Sequence, residues 1–338
     1  MSSLASMRNE KTIGGKVVIS YLKKFPDVPT LTLAKKIYKE NSLLFKDVEN
    51  CRSVIRYNRG QRGNRNRELM KDKSMLKEAG SRNPFNLPIS HAEDYTPYVI
   101  DQSRTLIVSD LHFPYQDNEA IELALNYGLE KDVNCILLNG DVIDFATVSR
   151  FDKDWRSRSL KEEFDAVRMF FKSLREHFPK AKIVYKLGNH DERFAKYLFA
   201  KAPEIFDCTE FQLEILLHLG EFKIDMVKDK KPISIGKLNV LHGHELVGQG
   251  GVNPSRATFT KTLDNTLVGH YHRTSETTET TFGGNIINVK SIGCLCGLHP
   301  MFMPVNKWNL GFAFCELNLK TGEYELENLK IIKGKIYK

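Results

Sequence analysis

Hydrophobic positions fall into two regimes along this chain. Near the start they recur at helical spacing: Val18, Tyr21, Leu22 and Phe25 follow i, i+3, i+4, i+7. Pro26, which lacks an N–H and clashes with the turn before it, ends that run. A second run over Thr30–Glu40 puts Leu33 with Ile37 and Ala34 with Tyr38. A third begins near Lys46, with Val48, Cys51 and Ile55 as its apolar stripe and Arg52, Arg56 and Arg59 on a neighbouring face; Gly60 and Gly63 end it. From about Ile100 the pattern changes to strand, loop, helix, repeated. Thr105–Ser109 and Cys135–Leu138 are apolar runs of strand length, separated by helical spacing from Glu119 to Leu129. Leu160, Phe164, Val167, Phe171, Leu174 and Phe178 mark a long amphipathic helix, and Ile183–Leu187 the next strand. Short strands follow at Ile233–Ile235, Leu238–His242, Thr266–Val268, Asn285–Val289, Gly311–Glu316 and Tyr324–Leu329.

This order predicts an α/β chain with two sheets flanked by helices, preceded by a small all-helical domain. The expected boundaries are 1–68 for the helical domain, 69–98 for a linker containing Gly80, Pro84, Pro88 and Pro97, and 99–338 for the α/β domain. No internal repeat or low-complexity tract interrupts it. No stretch approaches ~18 consecutive apolar residues, so no membrane partner is expected. The N-terminus lacks the apolar core of a secretory signal. The six cysteines are scattered and several lie in apolar runs, so free thiols in a reducing cytoplasm, bacterial or phage-infected, are expected. Cys294 and Cys296 lack the second pair that a closed thiolate metal site needs.

Charge adds one point. The net +8 resides in the first ~95 residues, and the rest of the chain is close to balanced. Two short helices, a turn and an arginine-bearing third helix resemble a helix-turn-helix unit, and the segment 60–68, GQRGNRNRE, adds glycine and arginine beside it. DNA is therefore the expected partner, through Arg52, Arg56, Arg59 and Arg62; a structural or oligomerising cap is the rival reading.

Candidate chemistry sits where apolar strands run into polar blocks: SDLHF (109–113), GDVID (140–144), GNHDER (188–193), LHGHE (241–245) and GHYHR (269–273). Open α/β sheets place ligands at such strand ends. On an extended strand end Asp110 and His112, at i and i+2, face the same side, and Asp141 is placed to bridge two ions. Imidazole mixed with carboxylate suits first-row divalent metals; two manganese ions are the first expectation, with iron, zinc and nickel as alternatives. Such a pair can brace both oxygens of an in-line displacement at phosphorus.

In order, these blocks resemble the calcineurin-like metallophosphoesterase family: D-x-H, GD-x-x-D, GNH-[DE], H-G-H and GH-x-H, over about residues 104–273. The resemblance implies a four-layer α/β/β/α sandwich. It implies that Asp110, His112 and His272 bind one ion, that Asn189, His242 and His270 bind the other, and that Asp141 bridges. His190 then stabilises the phosphoryl group or protonates the leaving oxygen, Asp144 orients His190, and a metal-bridging hydroxide is the nucleophile. His244 either touches substrate or supports His242; Arg193 either holds a substrate phosphate or forms a surface ion pair. Lys186, His299 and Trp308 receive no role.

The protein-phosphatase branch of that family has Arg-Gly after the second aspartate of GD-x-x-D and Glu after GNH. Phe145, Ala146 and Asp191 stand there instead. The chain looks more like nuclease and small phosphodiesterase branches, and most like phage-type members. The expected function is thus a phosphodiesterase or nuclease acting on DNA. The alternatives are a nucleotide phosphatase or phosphodiesterase with an oligomerising N-terminus, and a DNA-binding regulator on a phosphoesterase scaffold.

Overall fold

The computed structural model describes residues 12–26, 28–62, 95–149, 159–248 and 251–338. The chain divides into two compact units, Met1–Ala92 and Glu93–Lys338.

In the first unit the described helices are α1 (Ile13–Lys24), α2 (Thr30–Glu40) and α3 (Val48–Asn58). Thr12 and Asp47 cap α1 and α3 by accepting from the amides of Gly15 and Asn50, each cap contributing ~1 kcal/mol. Val18, Leu22, Leu33, Ala34, Ile37, Phe45, Cys51 and Ile55 form the buried core, so the helical periodicity identified the inward faces. Arg59 corrects the expected nucleic-acid face. It is 3% exposed. Its guanidinium donates to Thr30 Oγ1 (2.9 Å) and to the carbonyls of Pro26 (2.9 Å) and Val28 (2.8 Å). At the C-terminal end of α3 the chain leaves helical geometry, and the side chain turns inward to satisfy carbonyls of the α1–α2 connection. Arg52 lies beside Glu49 at 3.1 Å, while Arg56 and Arg62 are exposed. Most of the expected linker, 69–98, and the arginine-rich end of segment 60–68 lie outside the described residues.

The second unit holds β1 (Tyr98–Val99), β2 (Arg104–Val108), α4 (Asn118–Glu130), β3 (Cys135–Asn139), α5 (Leu160–His177), β4 (Lys182–Lys186), α6 (Arg193–Lys201), β5 (Ile224–Val227), β6 (Ile233–Ile235), β7 (Leu238–Leu241), α7 (Pro254–Thr262), β8 (Thr266–Val268), β9 (Ser275–Thr280), β10 (Ile286–Ser291), β11 (Leu310–Leu317), β12 (Tyr324–Ile332) and β13 (Lys335–Tyr337), with a few single-turn helices between them. β1 begins inside the segment expected to be linker, because Tyr98 and Val99 pair with Ile233 and Ser234.

Two sheets face each other. One runs β13-β12-β11-β2-β3-β4-β5, the other β1-β6-β7-β8-β10-β9. Alternation along each strand assigns its two faces. Leu106 and Val108 of β2 point to a helical layer built on Val167, Phe171 and Leu174 of α5. Ile107 between them joins Leu137, Val184, Val240 and Leu267 in the core between the sheets. Each fully buried aliphatic side chain there contributes about 1.5–3 kcal/mol. A capping box at Ser159 and Glu162 starts α5. The outer layer on the second sheet is α7, which packs on β8, β9 and β10 through Ser255 and Thr258. The order helix, sheet, sheet, helix is the four-layer α/β/β/α sandwich. The parallel strands β2, β3 and β4 all end on one rim, and β7 and β8 run parallel beside each other in the other sheet.

Candidate metal centre

The five polar blocks follow β2, β3, β4, β7 and β8 directly, so the folding of the two sheets gathers them. The local backbone differs from the extended strand ends expected. β2 stops at Val108, and Asp110 (φ 57°) and His112 (φ 51°) are both left-handed, as are Asp141 (51°), His270 (65°) and His272 (53°). Non-glycine residues rarely adopt this conformation, and it is held only where surrounding structure over-determines it. Two glycines allow the blocks to meet. A Cβ on Gly140 would stand 2.3 Å from His242 Nδ1, and one on Gly188 would stand 2.2 Å from Asp141 Oδ1.

On one side, His272 Nε2 lies 3.1 Å from Asp110 Oδ1 and 3.1 Å from His112 Nε2. Asp141 Oδ2 is 3.8 Å from His112 Nε2. On the other side, the same Asp141 oxygen is 3.2 Å from His242 Nε2. Among the described residues, donor atoms of Asp110, His112 and Asp141 lie within 4.8 Å of one another, as do those of Asp141, His242 and His270. Asp141 is common to both groups. Asn189 follows Gly188, whose Cβ position abuts the Asp141 carboxylate.

The inner atoms make no regular hydrogen bond, and Asp110 Oδ1 and His242 Nε2 meet His272 and Asp141 of the same cluster. Asp110 Oδ1, Asn189 Oδ1 and His242 Nε2 are buried without a hydrogen bond. Buried polar atoms left unpaired cost ~1–3 kcal/mol each. The outer atoms of the same rings are committed: His242 Nδ1 to the Asn139 carbonyl (2.7 Å) and His112 Nδ1 to Asp144 Oδ1 (2.9 Å). Those bonds fix each ring with its Nε2 turned inward, His112 Nε2 toward His272 and His242 Nε2 toward Asp141. A mixed nitrogen and oxygen donor set with orphaned inner atoms fits divalent cations.

Charge tells the same story. Burial opposes ionisation of Asp141, yet His242 and His190 outweigh it and hold the carboxyl well below its usual range. Burial likewise opposes the charged form of His242, but Asp141 and Asp110 raise it to about 10. His272 rises to about 9, Asp110 overcoming its burial. His270 falls to about 4 through burial and the neighbouring His242. Protons on His242 and His272 thus supply positive charge that the carboxylates demand.

His190 and Asp144 stand at the edge. Asp144 Oδ1 is 2.9 Å from His190 Nδ1, and the His190 amide donates to Asp141 Oδ1 (2.8 Å). Arg193 is neither exposed nor in a surface ion pair. Its guanidinium donates to the Asp144 carbonyl (2.9 Å) and to His190 Nε2 (2.9 Å). His244 is nearly buried beside His242, with Nε2 3.3 Å from Glu192.

Three residues without an expected site role organise this centre. Asp191 is buried and accepts from the amides of Asp141 (2.8 Å), Val142 (3.1 Å), Ile143 (3.2 Å) and Gly188 (2.7 Å), tying the second block to the third. Glu245 accepts from the amides of His242 (3.1 Å) and Gly243 (2.6 Å). Lys186, fully buried, meets Glu245 at 2.7 Å. Asp191 and Glu245 each lie within three residues of an expected ligand, and Lys186 ends an apolar strand; a charge at such a position was the available signal.

The family model described as calcineurin-like phosphoesterase matches residues 103–285. The chain is 25% identical over 195 residues to the Gene 54 protein of Mycobacterium phage L5, covering 54% of this chain and 74% of that one. It is 23% identical over 182 residues to the Gene 54 protein of Mycobacterium phage D29, covering 50% and 69%. Among solved structures it resembles Vacuolar Protein Sorting 29 from Cryptosporidium parvum (15% identity, 70% of this chain and 95% of that one, TM-score 0.37). It also resembles YfcE, a phosphoesterase from E. coli (14% identity, 67% and 98%, TM-score 0.32). Among the described residues no helix is long and apolar enough to cross a membrane.

Proposed function

Because this chain belongs to the calcineurin-like phosphoesterase family, we propose that it is a metal-dependent phosphodiesterase that cleaves DNA. The observation that carries the hydrolytic reading is the set of orphaned inner atoms, Asp110 Oδ1, Asn189 Oδ1 and His242 Nε2, around a shared Asp141. Asp110, His112 and His272 hold one divalent cation, Asn189, His242 and His270 hold a second, and Asp141 serves both. Cations there supply an activated water and neutralise charge at phosphorus. Manganese is the first candidate because the donors proposed for the two ions are imidazole, carboxylate and amide oxygen, while Cys296 lies beside the outer Nδ1 of His272.

His190 presents Nε2 at the edge of this group. Its Nδ1 proton is donated to Asp144, which fixes the ring's orientation and tautomer. Nε2 is the atom that meets the leaving oxygen, and Arg193 occupies it until substrate arrives. The Arg193 amino group released from Nε2 then donates to a phosphate oxygen, while its other amino group stays on the Asp144 carbonyl.

DNA as substrate rests on the basic first unit, where Arg56 and Arg62 are exposed. Manganese-supplemented hydrolysis of single-stranded DNA, duplex DNA, RNA and mononucleotides by the full chain tests it. DNA is expected to be cleaved fastest, and replacing Arg56 and Arg62 with alanine is expected to weaken salt-sensitive binding. Equal turnover of mononucleotides by both proteins would contradict the reading.

A further inference from the structure

We propose that Trp308 and Phe302 form a platform on which an unpaired nucleobase stacks beside the scissile phosphate, which makes single-stranded DNA the form of substrate that this site reads. The proposal rests on the phosphodiesterase reading above. The Trp308 indole packs against the His272 imidazole, with ring centroids 4.1 Å apart and planes at 63°. Phe302 meets that indole at 6.3 Å. A run of aromatic rings therefore leads outward from a residue of the metal group.

The loop between β10 and β11 that carries these rings is fastened to the site. Asn306 donates to the carbonyls of Leu298 (2.7 Å) and Met303 (2.8 Å) and accepts from the Trp308 amide (2.9 Å). The Asn309 amide donates to the His272 carbonyl (2.9 Å), and its side chain grips Thr274. Trp308 is thus held in place before a ligand arrives, which lowers the ordering cost of binding.

Support for His272 explains Trp308 but not Phe302. Phe302 is 73% exposed, and Val305 of the same loop is 91% exposed. An apolar ring left in water at the rim of a phosphate-binding centre calls for a flat apolar partner that arrives with the phosphate. A nucleobase meets that demand, since it has a π-face and is covalently joined to the phosphodiester. Bases in a duplex are already stacked on each other, so only an unpaired base can use the platform.

The test uses the full chain with Trp155→Phe, which leaves Trp308 as the sole tryptophan. Oligothymidylate, an abasic strand of equal length and thymidine 5′-monophosphate are titrated against its fluorescence without metal. The same strands are then hydrolysed with manganese by the wild type and by Phe302→Ala. Oligothymidylate is expected to quench Trp308 where the abasic strand does not. Phe302→Ala is expected to raise KM for oligothymidylate about tenfold and to raise the abasic strand's KM far less. Equal quenching and equal KM for the two strands overturn the platform while leaving hydrolysis standing. Quenching by the mononucleotide alone overturns the assignment to a strand. Selective quenching with no hydrolysis keeps the platform and overturns the phosphodiesterase reading.

Discussion

Asp144 Oδ1 lies 2.9 Å from His190 Nδ1, and the same oxygen lies 2.9 Å from His112 Nδ1. One carboxylate therefore orients a residue at the edge of the centre and a residue inside it. The consequences separate by mutation. His190→Ala is expected to lower kcat by about 10²–10⁴-fold with metal affinity unchanged. Asp144→Asn is expected to lower kcat and also to weaken metal binding about 10–100-fold, through the loosened His112 ring. Metal titration followed by calorimetry distinguishes them.

Metal binding is expected to release protons. His242 and His272, raised to about 10 and about 9, are protonated at pH 7 in the metal-free protein. A cation must displace those protons, so manganese affinity rises with pH between about 6 and 9. The raised values also mean that both imidazolium–carboxylate attractions stabilise the metal-free fold fully below pH 6.5 and are lost as pH rises through 9 and 10. The increase in Tm on adding manganese is therefore expected to grow with pH.

Glu163 of α5 is fully buried, with only the backbone amides of Phe145 and Thr147 to offset the loss of water around its carboxylate. Burial, reinforced by Asp144, raises its pKa from 4.5 to about 7. Keeping it ionised above that value costs on the order of 2–3 kcal/mol. The sign follows: the penalty is absent below pH 4.5 and complete above pH 7. Glu163→Gln is expected to raise Tm at pH 8 and to change it little at pH 4.5, as scanning calorimetry can measure.

How far these features were legible in the sequence depended on what each one advertised. α2 and α5 carried clear apolar periodicity and were read close to their bounds, Thr30–Glu40 and Leu160–His177. β9, SETTET, has no apolar residue, because it is an edge strand whose exposed face alternates with threonine and serine. α7, PSRATFTKT, buries serine and threonine rather than a hydrophobic stripe. The five strand-end blocks were visible because ligand-type residues followed apolar runs directly. Their left-handed backbone was not, since only the meeting of two sheets imposes it. The burial of Arg59 was hidden for a related reason: helix spacing placed it on an outer face, and the end of α3 turned it inward.

Arg59 and Arg56 are expected to part company in experiment. Arg59→Ala removes three hydrogen bonds from a buried guanidinium and strands two carbonyls, so the first unit should lose about 2–3 kcal/mol of stability. Arg56→Ala should leave stability unchanged and reduce the slope of log DNA affinity against log salt by about 1.

The central claim is that Asp141 joins two groups of donors into one hydrolytic centre. Manganese-stimulated turnover of bis-p-nitrophenyl phosphate by the wild type and by Asp141→Asn tests it most directly. The account predicts turnover in the wild type and a loss of at least about 100-fold in the variant, with calorimetry showing two bound manganese ions reduced to one or none. Turnover undiminished in Asp141→Asn would contradict it.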